Sequence, residues 1–174
     1  MPIFSFEGRA PIIHPSAFIA PNATIVGDVT IEEGASVWYG AVIRADVAPV
    51  IVRANANIQD NAVLHGAPDV VTDIGQRVTI GHLCQIHGAV IEDDCLIGNG
   101  STVLDGARIG AGSLIAAHSL VSGGTQIPAG VMAAGAPAAV KREIAGTPLG
   151  ESTGGNGIFY AELARRHKSG VAEV

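Results

Sequence analysis

Branched aliphatic residues recur along this chain at every sixth position. From Ile13 the series runs through Ile19, Ile25, Ile31, Val37 and Ile43, and the segments read IHPSAF, IAPNAT, IVGDVT, IEEGAS and VWYGAV. A second in-frame run goes from Ile91 through Ile97, Val103, Ile109, Ile115 and Val121 to Ile127. A small residue generally follows each anchor four places later, with Gly, Asp, Asn or Pro between. Six matches neither the helical period nor plain strand alternation. It suits a short strand whose first and fifth residues point inward, followed by a corner. Three segments make one coil, and coils stacked as parallel strands about 4.8 Å apart enclose a ladder of aliphatic side chains.

On these repeats, over roughly residues 11 to 140, the chain resembles the hexapeptide-repeat family. The resemblance implies a left-handed parallel β-helix; the general chirality of parallel connections would have favoured the right hand. The expected fold is therefore all-β, a left-handed parallel β-helix over 1–140. A linker over 141–157 follows, because TPLGESTGGNG reads as a flexible, Gly-rich connection. A C-terminal amphipathic α-helix and tail over 158–174 complete the chain. In IFYAELARRHKSG, Phe159, Leu163 and Ala164 share one helical face and basic residues gather at the C-terminal end.

Composition narrows the picture further. Across 174 residues the chain is 48% apolar but only 4% aromatic and carries 23 glycines, so its core is built from aliphatic side chains in narrow repeated spaces. A net charge of −6 with scattered Lys and Arg leaves no basic stripe for a nucleic acid. No apolar run approaches the roughly 20 residues of a membrane span and no signal peptide opens the chain, so a cytoplasmic protein with no membrane partner is expected. Cys84 and Cys95 fall at inward fifth positions and read as core spacers, not metal ligands.

The frame breaks between the two runs, where about three residues are inserted around 47–50 and about four more within HGAPDVVTD. Counting the three faces through these insertions puts Ile43, Leu64 and Ile86 at the start of third-face segments. Arg44, His65 and His87 then share one outward column on successive coils. Imidazoles rooted about 4.8 Å apart can converge on one metal ion with bonds of about 2.0 to 2.1 Å. His82, in GHLCQIHG, belongs to the second face and points elsewhere. A third ligand can then come from another copy of the chain, which suggests cyclic assembly.

The strings IRAD at 43–46, NIQDNAVLHG at 57–66 and IGHLCQIHG at 80–88 together resemble the γ-class carbonic anhydrase family. The resemblance implies a homotrimer with Zn2+ between subunits, held by His65 and His87 of one and His82 of its neighbour. Three histidines also suit Fe2+ or Co2+, with zinc favoured on affinity. It further implies reversible hydration of CO2 to bicarbonate by a metal-bound hydroxide. Gln59 takes the place of the side chain that holds the hydroxide or substrate, and Arg44, Asp46 and Asp60 match an ion-pair set supporting interface and site. Asn57 falls near the expected CO2 pocket, and Tyr160 matches a family tyrosine near the metal. One departure stands out. The inserted loop VAPV lacks the acidic proton shuttle of the family's prototype, which implies slow or buffer-dependent turnover.

Two other readings remain open at this point. A hexapeptide acyltransferase would use one histidine as general base on an acyl-CoA or hydroxyl substrate, and of His14, His118 and His167 the corner residue His118 is the candidate. A metal-binding accessory or scaffold protein would retain the metal with little hydratase activity.

Overall fold

The computed structural model describes residues 2–173. It is a parallel β-solenoid of about seven turns, a left-handed β-helix closed by one C-terminal helix. Three aliphatic ladders form its interior, each rung paired in parallel with the next. The first face stacks Ile13, Ile31, Val52, Ile74, Ile91, Ile109 and Ile127. Ile19, Val37, Ile58, Ile80, Ile97, Ile115 and Ala133 make the second. The third runs Ile25, Ile43, Leu64, Ile86, Val103 and Val121. These are the faces the six-residue count predicts, insertions included.

The fifth positions pack beside the ladders as small side chains. Cys84 and Cys95 are buried there, with Cys95 Sγ 3.2 Å from the Gly110 carbonyl oxygen. Burial raises the thiol pKa of both and pushes Cys95 up to about 12, so both stay neutral and inert. Buried Ser101 and Ser113 donate their hydroxyls to the carbonyls of Ala116 and Pro128, which satisfies them inside the prism.

Most corners turn through a left-handed residue at the fourth position. Gly34, Gly100 and Gly112 adopt it freely, and Asn55 and Asn61 tolerate it. Arg77, Leu83 and His118 hold the same conformation with full side chains. Asn, Asp and Gly between anchors are thus the residues that this corner favours sterically.

The segment 147–157 is not a linker. Helix α1 spans Pro148–Gly170, and Thr147 caps it by accepting from the Gly150 N–H at 3.2 Å. Thr before Pro is a recognisable helix start, with proline at a position where its missing N–H costs nothing. Of the glycines that suggested flexibility, Gly150, Gly154 and Gly157 are docking positions. A side chain at Gly150 would sit 2.2 Å from the Ile144 oxygen, and one at Gly157 would sit 2.3 Å from the Arg77 oxygen. These small positions at four- and three-residue spacing let the helix backbone lie close against the corners that border the second face. For the same reason Phe159 is not on the packed side: it is 60% exposed, while Thr153, Gly157 and Ala164 are buried. The far end is pinned by His167, which packs against Phe18 and Trp38 and hydrogen-bonds Tyr39 Oη at 3.0 Å, and by Lys168, which donates to the carbonyls of Pro15 and Ala17.

Two glycines of α1 are expected to respond oppositely to Ala. At Gly155 nothing lies within 4 Å, so Gly155→Ala should stabilise the protein by about 1 kcal/mol through helix propensity. Gly157→Ala gains the same propensity but drives a methyl group into backbone, and should destabilise by about 2 kcal/mol. Urea denaturation of both variants measures the difference.

Candidate metal centre

The column predicted on the third face is present. His65 and His87 lie directly opposite each other on neighbouring coils, their ring centroids 5.0 Å apart. His65 Nδ1 and His87 Nε2 face each other at 3.1 Å. Two ligands of a tetrahedral ion with bonds of about 2.0 to 2.1 Å stand roughly 3.3 Å apart, so the pair is spaced to share one ion.

The remaining ring nitrogens are held by carboxylates. His65 Nε2 meets Asp46 Oδ1 at 2.8 Å, and His87 Nδ1 meets Asp105 Oδ1 at 2.6 Å. A carboxylate on the outer nitrogen fixes the tautomer with the inner nitrogen unprotonated, as a metal ligand requires. Burial works against ionisation of Asp46, but hydrogen bonds from His65 and Arg44 outweigh it and hold its carboxyl below the usual range. Arg44, next along the column, pairs with Asp46.

Thr72 completes the frame of this pair. Its buried hydroxyl donates to the His65 carbonyl at 2.7 Å and accepts from the Gly88 N–H at 3.1 Å, joining the two histidine rungs across the excursion at 66–71. Neither Thr72 nor Asp105 is singled out by the sequence reading. Asp105 carries a signal, since it lies one coil beyond His87, at the third position of the Val103 segment beside the column. Thr72 carries none, lying inside the stretch where the count loses its frame.

His82 stands apart. Its Nδ1 meets Asp60 Oδ2 at 2.8 Å, and its backbone N–H donates to Asn99 Oδ1. Within one chain Asp60 thus serves His82 rather than Arg44. Among the described residues no three His, Cys, Asp or Glu side chains converge on one point. One chain therefore presents a two-nitrogen half-site and, elsewhere, a third imidazole with its own carboxylate.

Beside His82 lies a pocket of about 210 Å³ walled by Gln59, Asn99, Asn156 and Tyr160 among others. Asn57 is not on its wall. It is fully buried beneath, on the outer side of the wall where helix α1 covers it, its amide spent on Val78, Thr79 and Gln59. Tyr160 does reach the pocket, and burial together with the negative charge of Asp60 raises its pKa, keeping the phenol a neutral donor. His118 lies two coils beyond His82 at an exposed corner of the same face, its ring over Gly100, and that ring makes no hydrogen bond among the described residues.

Known proteins place this geometry in a family. The family model described as bacterial transferase hexapeptide (six repeats) matches residues 10–45, 72–104 and 88–123. A carbonic anhydrase of Geobacillus kaustophilus is 49% identical over 142 residues, covering 82% of this chain and 78% of that protein. The chain belongs to the γ-class carbonic anhydrase-like family of hexapeptide-repeat proteins. The mitochondrial γ carbonic anhydrase 1 of Arabidopsis thaliana is 47% identical over 103 residues, which covers 56% of this chain and 38% of the plant protein. A Bacillus cereus crystal structure described as an acetyltransferase superposes with a TM-score of 0.94 at 41% identity, covering 96% of each chain.

Within this family the column and its carboxylates invite two measurements. Asp105→Ala frees His87 Nδ1 and should weaken divalent-metal binding about 10- to 100-fold, read by competition with a chromophoric chelator. His118→Gly relieves a left-handed residue and should stabilise the protein by about 1 kcal/mol without touching metal binding. Thermal or urea denaturation, with metal analysis alongside, checks the second.

Proposed function

We propose that the protein hydrates CO2 reversibly to bicarbonate, in a trimer whose divalent cation is held by His65 and His87 of one copy and His82 of the next. The observation that carries this reading is the matched set of three imidazoles, each with one ring nitrogen on its own carboxylate, two of them 3.1 Å apart at their free nitrogens. All-nitrogen neutral donors suit Zn2+ above the harder cations. Such a cation, keeping one position open, lowers the pKa of water enough to supply a nucleophile near neutral pH.

The chain's own residues orient and exclude. Asp46, Asp60 and Asp105 fix the imidazole tautomers, and Arg44 holds Asp46 in its ionised form. Gln59 contributes a carboxamide that orients the nucleophile and does not titrate. The inserted segment 47–50, which runs as extended strand beside the column, offers only Val, Ala and Pro, so protons leave by way of buffer and the rate should rise with buffer concentration.

The faces favour self-association along the column. The second is covered by α1, and the first carries ion pairs of Arg53 with Glu32 and Asp73 and of Arg108 with Glu92. The third presents Val63, 39% exposed, beside the column, with Leu83 66% exposed at its corner. A neighbour on this face buries apolar surface and can bring His82 to His65 and His87.

The description of the Bacillus cereus structure as an acetyltransferase keeps acyl transfer as a second reading. That reading requires a histidine base outside the column, and His118 has the exposure but no carboxylate to orient it. Metal analysis of the purified assembly and CO2 hydration before and after His82→Ala separate the possibilities. Hydration close to the uncatalysed rate in His82→Ala, with loss of bound metal, is the expected result. Stoichiometric metal without hydration in the unaltered protein would favour an accessory role. CoA-dependent transfer that survives metal removal would favour the acyltransferase.

A further inference from the structure

Helix α1 reaches the candidate site through Asn156. Its Nδ2 donates to Thr79 Oγ1 at 3.0 Å, and Asn57 Nδ2 donates to the same oxygen at 2.9 Å. Asn57 Nδ2 also donates to the Val78 carbonyl at 3.3 Å, and Gln59 Nε2 donates to Asn57 Oδ1 at 3.0 Å. The Val78 carbonyl only accepts, so it sets the sense of the whole row. Asn57 must turn its NH2 toward that carbonyl, its oxygen must accept from Gln59, and Gln59 must turn its own NH2 inward. Gln59 Oε1 then has no protein partner. No buried side-chain nitrogen or oxygen among the described residues lacks a partner, so this oxygen is the atom that opens to the pocket beside His82.

We propose that Asn156 is a positioning residue for Gln59. By donating to the Thr79 hydroxyl it holds the rotamer that receives Asn57, and Asn57 in turn holds Gln59 with its carboxamide oxygen outward. The inference rests on the hydration reading and names what that site accepts: a small species bearing an O–H, water or the hydroxyl of bicarbonate. Its hydrogen is drawn to Gln59 Oε1, which leaves an oxygen lone pair free to face the carbon. A reversed amide would present NH2 there and turn that lone pair away. Three elements meet in this row, since Asn57 and Thr79 lie on successive coils while Asn156 comes from the helix capped at Thr147.

The test uses the full-length protein with 15N-labelled side-chain amides. The Gln59 resonance is assigned by its absence from Gln59→Glu. In the metal-free protein, Asn156→Ala and the isosteric Thr79→Val should move that resonance and speed its exchange with water about fivefold, while Thr79→Ser should leave it in place. In the metal-loaded protein the first two should lower kcat about fivefold with KM little changed, and Thr79→Ser should restore it. Metal content should stay the same in all three. An unmoved Gln59 resonance in both Asn156→Ala and Thr79→Val overturns the positioning role, whatever the rates. A resonance that moves as described in a protein that hydrates no CO2 supports the positioning role and overturns the hydration reading instead.

Discussion

Parallel backbone pairing holds each residue of the prism one strand spacing above its counterpart in the coil below. The whole outer surface depends on that ladder. His65 and His87 lie 22 positions apart in sequence, yet their nitrogens approach to 3.1 Å because their coils are in register. A slip of one residue would send their side chains to opposite sides of the wall. The aliphatic interior maintains the register, since Leu64 and Ile86 are fully buried directly beside the two histidines. Core packing and site geometry are therefore one constraint seen from two sides of the same strand.

The three walls are chemically unlike although they share a backbone. One takes a helix, made possible by glycines that let two backbones touch. A second is laced with opposite charges that keep it in water; hydrogen bonds and ionic attraction within its Asp73 and Asp94 pairs raise the pKa of Arg53 and Arg77 above the usual guanidinium value. The third has few charges besides Arg44 and the column. This division gives the solenoid a direction for association without altering its repeat.

Much of this architecture was legible in the chain. The six-residue anchors located all three ladders, and counting through the insertions placed Arg44, His65 and His87 in one column. Cys84 and Cys95 were correctly turned inward. Where the reading failed, a local rule competed with a tertiary one. Glycines at 150, 154 and 157 speak for flexibility in isolation, but against a flat wall they are what permits close docking, and the helix-start signal of Thr147–Pro148 went unread. Phe159 was assigned to the packed side by hydrophobicity, whereas contact with a wall of backbone selects for small size. Asp105 and Thr72 act through neighbours on other coils, a relation no local pattern expresses. Asn57 was expected near the pocket and lies under it, because strand alternation alone does not say how deep a polar side chain sits.

Thr72 gives the 66–71 excursion a particular freedom. With its hydroxyl bonded to both His65 and Gly88, it closes the loop at its base before the loop leaves the wall. Pro68 and Asp69, at the exposed tip beyond that latch, lie off the histidine rungs. Length, charge and sequence there can drift without loosening the column, so the solenoid carries an evolvable appendage next to its most exacting geometry.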